Sequence, residues 1–131
     1  MFKLSVVTPE RVVFEQSARS IIAPGSEGYL GILTDHAPLI TALIPGKLSV
    51  TDDASQTQDF ALSGGFLEVA NNVVTILADA IERASEIDIE RARRSEARAR
   101  ERLSHRSDPA IDVARAEGSL ARALNRIRLA E

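Results

Sequence analysis

The chain has 131 residues, 44% of them apolar, and a formal net charge of -3. This leaves room for one medium domain or a small domain with an appendage, and the apolar content excludes global disorder. The lack of cysteine excludes disulfides, thiolate zinc sites and thiol catalysis, and no apolar run approaches the ~20 residues that span a bilayer.

The chain opens directly on strand-like residues, so neither a signal peptide nor a transit peptide is expected. Charge is unevenly distributed. Residues 1–81 hold 4 basic and 9 acidic residues, whereas residues 82–131 hold 12 basic residues, all arginine, and 10 acidic ones. Guanidinium binds phosphate and carboxylate bidentately, so the second part has its own chemistry. Two parts are expected, 1–81 and 82–131.

The first part has period-two patterning. Phe2, Leu4 and Val6 alternate with Lys3 and Ser5 until Thr8-Pro9-Glu10 breaks the strand. Val12-Val13-Phe14 and Ile21-Ile22-Ala23 are further short strands. The stretch from Gly25 to Gly46 packs Gly25, Gly28 and Gly31 as tight turns and carries an Asp35-His36-Ala37-Pro38 corner. A second apolar strand in that stretch, Leu39 to Leu43, ends at Pro45-Gly46, and Leu48 to Val50 follows. Thr51 to Gln56 reads as a hairpin loop before Phe60-Ala61-Leu62. Asn71-Asn72 reads as a two-residue turn between Phe66–Val69 and Val73–Ala78, because asparagine tolerates positive φ. Eight to ten such strands predict an antiparallel β-sandwich or flattened barrel.

From Ile87 the period becomes helical. Asp88 is placed as the N-cap of a first helix with Ile89, Ala92, Ala99 and Leu103 on its seam and Glu96 interrupting it. Ser104 to Ser107 is a polar link, and Asp108-Pro109 signals a second start. That second helix presents Val113, Ala116, Leu120, Leu124 and Ile127. Two helices so linked predict an antiparallel hairpin, giving an α+β chain overall. The seam is rich in alanine, and Gly118 costs about 1 kcal/mol relative to alanine mid-helix. Such a hairpin is expected to open readily.

Catalytic chemistry finds little purchase. His36 and His105 are the only histidines, no nucleophile pairs with Asp35-His36, and neither HExxH, a calcium loop nor GxxxxGK[ST] is present. No catalytic or metal residue is therefore proposed. The arginines are more informative: Arg91, Arg94, Arg98 and Arg102 share one side of the first helix, and Arg115, Arg122 and Arg126 do likewise on the second. By spacing alone they form either a solvated charged surface or, if the faces converge, an anion site that includes Asp88. A pI near 5.4, one tyrosine and four phenylalanines argue against a nucleic-acid stacking platform.

Several stretches carry a resemblance: Gly25-Ser26-Glu27-Gly28, Leu30-Gly31-Ile32, His36-Ala37-Pro38-Leu39 and Leu62-Ser63-Gly64-Gly65. With the arginine- and alanine-rich hairpin behind them, the whole chain resembles the epsilon subunit of bacterial F-type ATP synthases. The resemblance implies a non-catalytic subunit of the central stalk, peripheral on the cytoplasmic face of the inner (plasma) membrane and monomeric when isolated. Its partners would be the gamma subunit, the c ring and the alpha/beta hexamer, with Tyr29 and His36 at subunit interfaces. Many relatives carry an acidic side chain at the position of Tyr29, so packing or a hydroxyl hydrogen bond is expected there rather than an ionic contact. Ile87-Asp88-Ile89-Glu90-Arg91-Ala92 is similar to the [IL]DxxRA motif of members that bind ATP as a regulatory ligand. By that resemblance the nucleotide contacts are Glu82, Ile87, Asp88, Arg91, Ala92, Arg98, Arg122 and Arg126. A rival expectation is a stand-alone β-sandwich module whose helices recognise an acidic protein or nucleic acid.

Overall fold

The computed structural model describes residues 1–130. It divides into two compact units, Met1–Arg83 and the residues from Ala84 onward. The first contains β1 (Phe2–Val7), β2 (Val12–Ala18), β3 (Ser20–Gly25), β4 (Gly28–Leu33), β5 (Leu39–Thr51), β6 (Thr57–Ala70), β7 (Val73–Ala78) and β8 (Ile81–Arg83). The second contains a 3-10 turn at Ala84–Glu86, then α1 (Ile89–Ser104) and α2 (Val113–Ala130).

The strands follow one hydrogen-bonded path, β2-β1-β7-β6-β5-β3-β4, with β8 also on β6. The path doubles back because β5 and β6 are long enough to serve two layers. Residues Leu39–Leu43 of β5 pair with Gly65–Val69 of β6, which then pairs with β7, whereas Gly46–Thr51 pairs with Thr57–Leu62. The first halves of these pairings join β7, β1 and β2; the second join β8, β3 and β4. Alternate residues of both layers face one core: Leu4, Val6, Leu67, Val74 and Ile76 from one, Ile21, Ile32, Leu48 and Leu62 from the other. Phe14 on β2 stacks on Phe60 on β6 with centroids 5.2 Å apart, closing the core between layers.

The strand pairing departs from expectation in one respect. Among the described residues every ladder is antiparallel except β1 on β7, which is parallel. Parallel neighbours cannot be joined by a hairpin, and here almost the whole sandwich forms the crossover.

Pro45-Gly46 does not end a strand; β5 runs straight through it. Proline has no N–H to give a ladder, and it is accommodated where the register of β3 on β5 shifts between Ile22 and Gly25. Gly46 is required for close approach: a Cβ there would lie 2.5 Å from the Pro24 Cβ and 2.8 Å from the Tyr29 hydroxyl. Nor do Phe60–Leu62 and Phe66–Val69 form separate strands. Gly64 and Gly65, at φ of 107° and 141°, carry β6 through its bend. The Asn71-Asn72 turn is as expected, with φ of 51° and 60°. Its Asn72 side chain accepts from the Asp35 N–H at 2.8 Å and donates to the Met1 carbonyl at 2.7 Å, tying the 34–38 corner to the start of β1.

In the second unit Asp88 is the N-cap of α1, accepting from the Arg91 N–H at 3.1 Å. The second helix starts later than Asp108-Pro109 suggests. Asp108 closes a local turn onto the Ala110 N–H at 2.9 Å, and Asp112 caps α2 instead, accepting from the Arg115 N–H at 3.0 Å. The link is therefore 105–112 rather than Ser104–Ser107. The helices pack on one another, and α2 also touches the Ala84–Glu86 turn ahead of α1, so α2 runs back antiparallel. Their fully buried apolar contacts are alanines at heptad spacing, Ala92 and Ala99 against Ala116 and Ala123. Leu103, Leu120, Leu124 and Ile127 are only half-buried.

The glycines separate cleanly. A Cβ on Gly65 would lie 2.0 Å from the Leu77 carbonyl oxygen, whereas one on Gly31 meets nothing nearer than 3.9 Å. Gly65→Ala should cost about 3 kcal/mol or more in urea unfolding, and Gly31→Ala should be neutral or stabilising by about 0.5 kcal/mol.

Candidate functional site

Helix geometry decides which arginines share a face. Taking each buried alanine as the seam, the preceding residue lies about 100° to one side and the residue three on lies about 60° to the same side. On α1 these positions are Arg91 and Arg98, then Ser95 and Arg102; on α2 they are Arg115 and Arg122, then Ser119 and Arg126. An antiparallel pair brings equivalent flanks of its helices to the same side. The hairpin thus gathers six arginines and two serines on one face, with the capping carboxylates Asp88 and Asp112 at its ends and Glu101 beside Arg98 and Arg102.

Away from that face, α1 carries paired charges. There Arg93 pairs with Glu90 at 3.2 Å and Arg100 with Glu96 at 3.2 Å. On the arginine face, Arg98 donates to Ser95 Oγ at 3.2 Å, and Arg122 donates to Ser119 Oγ at 3.2 Å from a part-buried position. Among the described residues no carboxylate within 4.0 Å is recorded for Arg91, Arg98, Arg102 or Arg115. A hydroxyl orients a guanidinium without neutralising it, so the face keeps its capacity for an anion.

The structure brings some of the expected nucleotide contacts together and separates others. Ile87, half-buried, and Asp88 lie at the start of α1, and Arg91 occupies its first turn. In the antiparallel pair this end of α1 lies beside the end of α2 that carries Arg122 and Arg126. Arg98 sits two turns further along α1. Ala92 is buried in the seam, where its methyl packs between helices. Glu82 lies on β8 in the sandwich, paired across from Ala61 and half-buried. Asp88 uses Oδ1 to cap α1, and Oδ2 is its second acceptor. Ser95 and Ser119 have no signature in the sequence, because a serine mid-helix carries no signal until its arginine is seen beside it.

On the sandwich, Tyr29 is 59% exposed, yet its hydroxyl accepts from the Lys47 N–H at 3.0 Å. It caps the N–H left without a β3 partner by the register shift at Pro24, so the hydroxyl is engaged within the sandwich itself. His36 is half-buried at the 34–38 corner, with Nδ1 2.7 Å from the Ala37 carbonyl. The outer face of β1, β7, β6 and β5 exposes several apolar residues beside Lys3 and Glu68: Phe66 and Leu77 are 57% and 55% exposed, and Ile40 is 74% exposed. Val7, Pro9, Phe66, Leu77 and Ala78 line a shallow apolar recess of about 360 Å³ there. Among the described residues no helix is long and apolar enough to cross a membrane, and no three potential ligands cluster to hold a metal.

Two family profiles together cover the chain. Residues 1–84 match the ATP synthase delta/epsilon chain β-sandwich domain, and residues 85–131 match the delta/epsilon chain long α-helix domain. The chain belongs to the ATP synthase delta/epsilon family. It is 48% identical to the ATP synthase epsilon chain of Desulforamulus reducens over 129 residues, covering 98% of this chain and 96% of that one. It is 50% identical to the epsilon chain of Moorella thermoacetica over 127 residues, covering 97% and 94%. As an epsilon-type member it is a non-catalytic subunit of ATP synthase. Among solved structures, a chain in the Euglena gracilis mitochondrial ATP synthase, in an OSCP/F1/c-ring assembly, superposes with a TM-score of 0.79 at 27% identity, over 90% of this chain and 74% of that one. A Tetrahymena thermophila mitochondrial ATP synthase chain shares the fold, with a TM-score of 0.56 at 21% identity over 66% and 69%.

Tyr29→Phe in this epsilon-type chain should remove the acceptor for Lys47 and speed exchange of that amide. The loss of stability should be about 0.5–1 kcal/mol, because water can reach the freed N–H.

Proposed function

We propose that the chain is the central-stalk epsilon subunit of an F-type ATP synthase, peripheral on the cytoplasmic face of the membrane. Its sandwich docks on the gamma subunit and the c ring, and its hairpin restrains ATP hydrolysis by the alpha/beta hexamer. The observation that carries this reading is the contrast between the units. A tightly packed sandwich presents exposed apolar residues, while an alanine-seamed hairpin gathers arginines on one face, where among the described residues no carboxylate within 4.0 Å is recorded for Arg91, Arg98, Arg102 or Arg115. The first suits permanent docking. The second suits exchange between two anionic occupants, ATP in a compact state and acidic groups of the catalytic subunits in an extended one. The likeness to a chain of an F1/c-ring assembly supports the placement.

In the compact state Arg91 and Arg126 hold phosphate oxygens across the open end of the hairpin, with Arg122 and Arg98 behind them. Ile87 offers apolar surface to the base, and Asp88 accepts from the adenine amino group or orients an arginine. A ligand that binds only the compact hairpin shifts the balance toward it and relieves inhibition.

Calorimetric titration of the full chain with ATP, with and without magnesium, tests this directly. Saturable binding is expected, weakened about tenfold or more by Arg91→Ala and by Arg126→Ala, since each removes a charge-assisted hydrogen bond. Asp88→Asn preserves the cap and should lose only the carboxylate's share, whereas Asp88→Ala should also destabilise α1 by about 1 kcal/mol. Absence of saturation up to millimolar ATP would sink the nucleotide reading. The docking surface has its own test: Phe66→Asp and Leu77→Asp, both at exposed positions, should leave the fold intact and abolish co-elution with the gamma subunit.

A further inference from the structure

The two helices are not merely similar in composition. Residues 87–102 and 111–126, offset by 24, are identical at nine of 16 positions: Ile, Asp, Arg, Ala, Ser, Ala, Arg, Ala and Arg in the same order and spacing. Ile111-Asp112-Val113-Ala114-Arg115-Ala116 repeats the pattern of Ile87-Asp88-Ile89-Glu90-Arg91-Ala92. The structure gives both copies the same local geometry. Asp88 and Asp112 each cap a helix by accepting from the N–H three residues on, at 3.1 and 3.0 Å. Arg98 and Arg122 each donate to the serine three residues earlier at 3.2 Å. Ala92 and Ala99 in one helix, and Ala116 and Ala123 in the other, form the buried seam.

Two antiparallel copies of one pattern are related by a local two-fold axis across the hairpin. That axis exchanges the open end, with Arg91 and Arg126, for the linked end, with Arg115 and Arg102. The linked end contains a recess of about 210 Å³ lined by Arg102, Ala110, Ile111, Asp112, Arg115 and Ala116. These include the two-fold counterparts of Arg126, Ile87, Asp88, Arg91 and Ala92. At about 30 Å³ per water, the recess has room for a tetrahedral oxyanion with several waters.

We propose that this recess is a second binding site for a phosphate group, held between Arg102 and Arg115 at the N-terminus of α2. The two guanidiniums approach from different helices, and among the described residues no carboxylate within 4.0 Å is recorded for either. The helix N-terminus adds partial positive charge. Asp112 is the one carboxylate lining the recess, and its Oδ1 is committed to the Arg115 N–H. Two arginines against one carboxylate leave a net positive site. Ile111, half-buried, offers the only sizeable apolar surface, so a nucleoside phosphate and a free polyphosphate are both sources of the group it recognises.

The proposal takes its ligand class from these side chains and does not require ATP to bind the open end. Its test is therefore run in the full-length Arg91→Ala background, which removes the open-end contact. Backbone amide shifts of Ile111, Asp112 and Arg115 are followed during separate titrations with ATP and inorganic pyrophosphate, ionic strength being held with sodium chloride. Saturable shifts with at least one ligand are expected. Adding Arg102→Ala or Arg115→Ala should weaken the response about tenfold or more, while Arg115→Lys should retain part of it. Saturation by ATP alone supports a nucleotide site, and equal saturation by pyrophosphate supports recognition of phosphate itself. Shifts that rise linearly to millimolar concentration, or that persist unchanged without Arg102 and Arg115, would overturn the proposal.

Discussion

The sandwich depends on β5 and β6 passing through both of its layers, and that depends on places where no side chain can be tolerated. Gly46 lets Pro24 and the Tyr29 hydroxyl close over β5, and Gly65 lets β6 approach the Leu77 carbonyl at its bend. Without those approaches the second halves of the strands could not turn to carry β3, β4 and β8. The same bends leave β1, β7 and the far half of β6 with one face on the core and one outside. The outer face retains Phe66, Leu77 and Ile40, more apolar surface than an isolated sheet face needs.

The hairpin follows different physics. Four buried alanines contribute about 0.8 kcal/mol per methyl, so the fully buried seam is worth about 3 kcal/mol. Single core side chains such as Leu4 or Ile76 contribute about 1.5–3 kcal/mol each in the sandwich. Small seam residues also let the helices approach closely, which brings the flanking arginines of α1 and α2 onto one face. The weakness of the hairpin and the density of its positive charge are thus two consequences of the same alanines. On the proposed reading, that combination is what couples a conformational change of the hairpin to an anion.

Much of this was legible in the chain itself. Asn71-Asn72 could be read as a turn because few residues accept positive φ, and Asp88 as a cap because a carboxylate before a helical period has one obvious use. Pro45-Gly46 misled because proline is a local signal for a strand end. What keeps β5 continuous is a tyrosine hydroxyl eighteen residues away in sequence, together with a register shift. The parallel pairing of β1 with β7 joins segments too distant for any local pattern. Two aspartates competed to start α2, and Asp108 spent its carboxylate on its own turn. The arginines of the candidate site could be listed from spacing, but their common face and the serines that orient them emerged only once the seam alanines were known.

The proposed switch requires a hairpin held far more weakly than the sandwich. Native-state amide exchange of the full chain at increasing sub-denaturing urea measures this directly. The account predicts that amides of α1 and α2 exchange through an opening several kcal/mol easier than that of β5 and β6, with little dependence on urea. If the helical amides instead merged with those of the sandwich in a single global unfolding, the separable hairpin, and the switch built on it, would be contradicted.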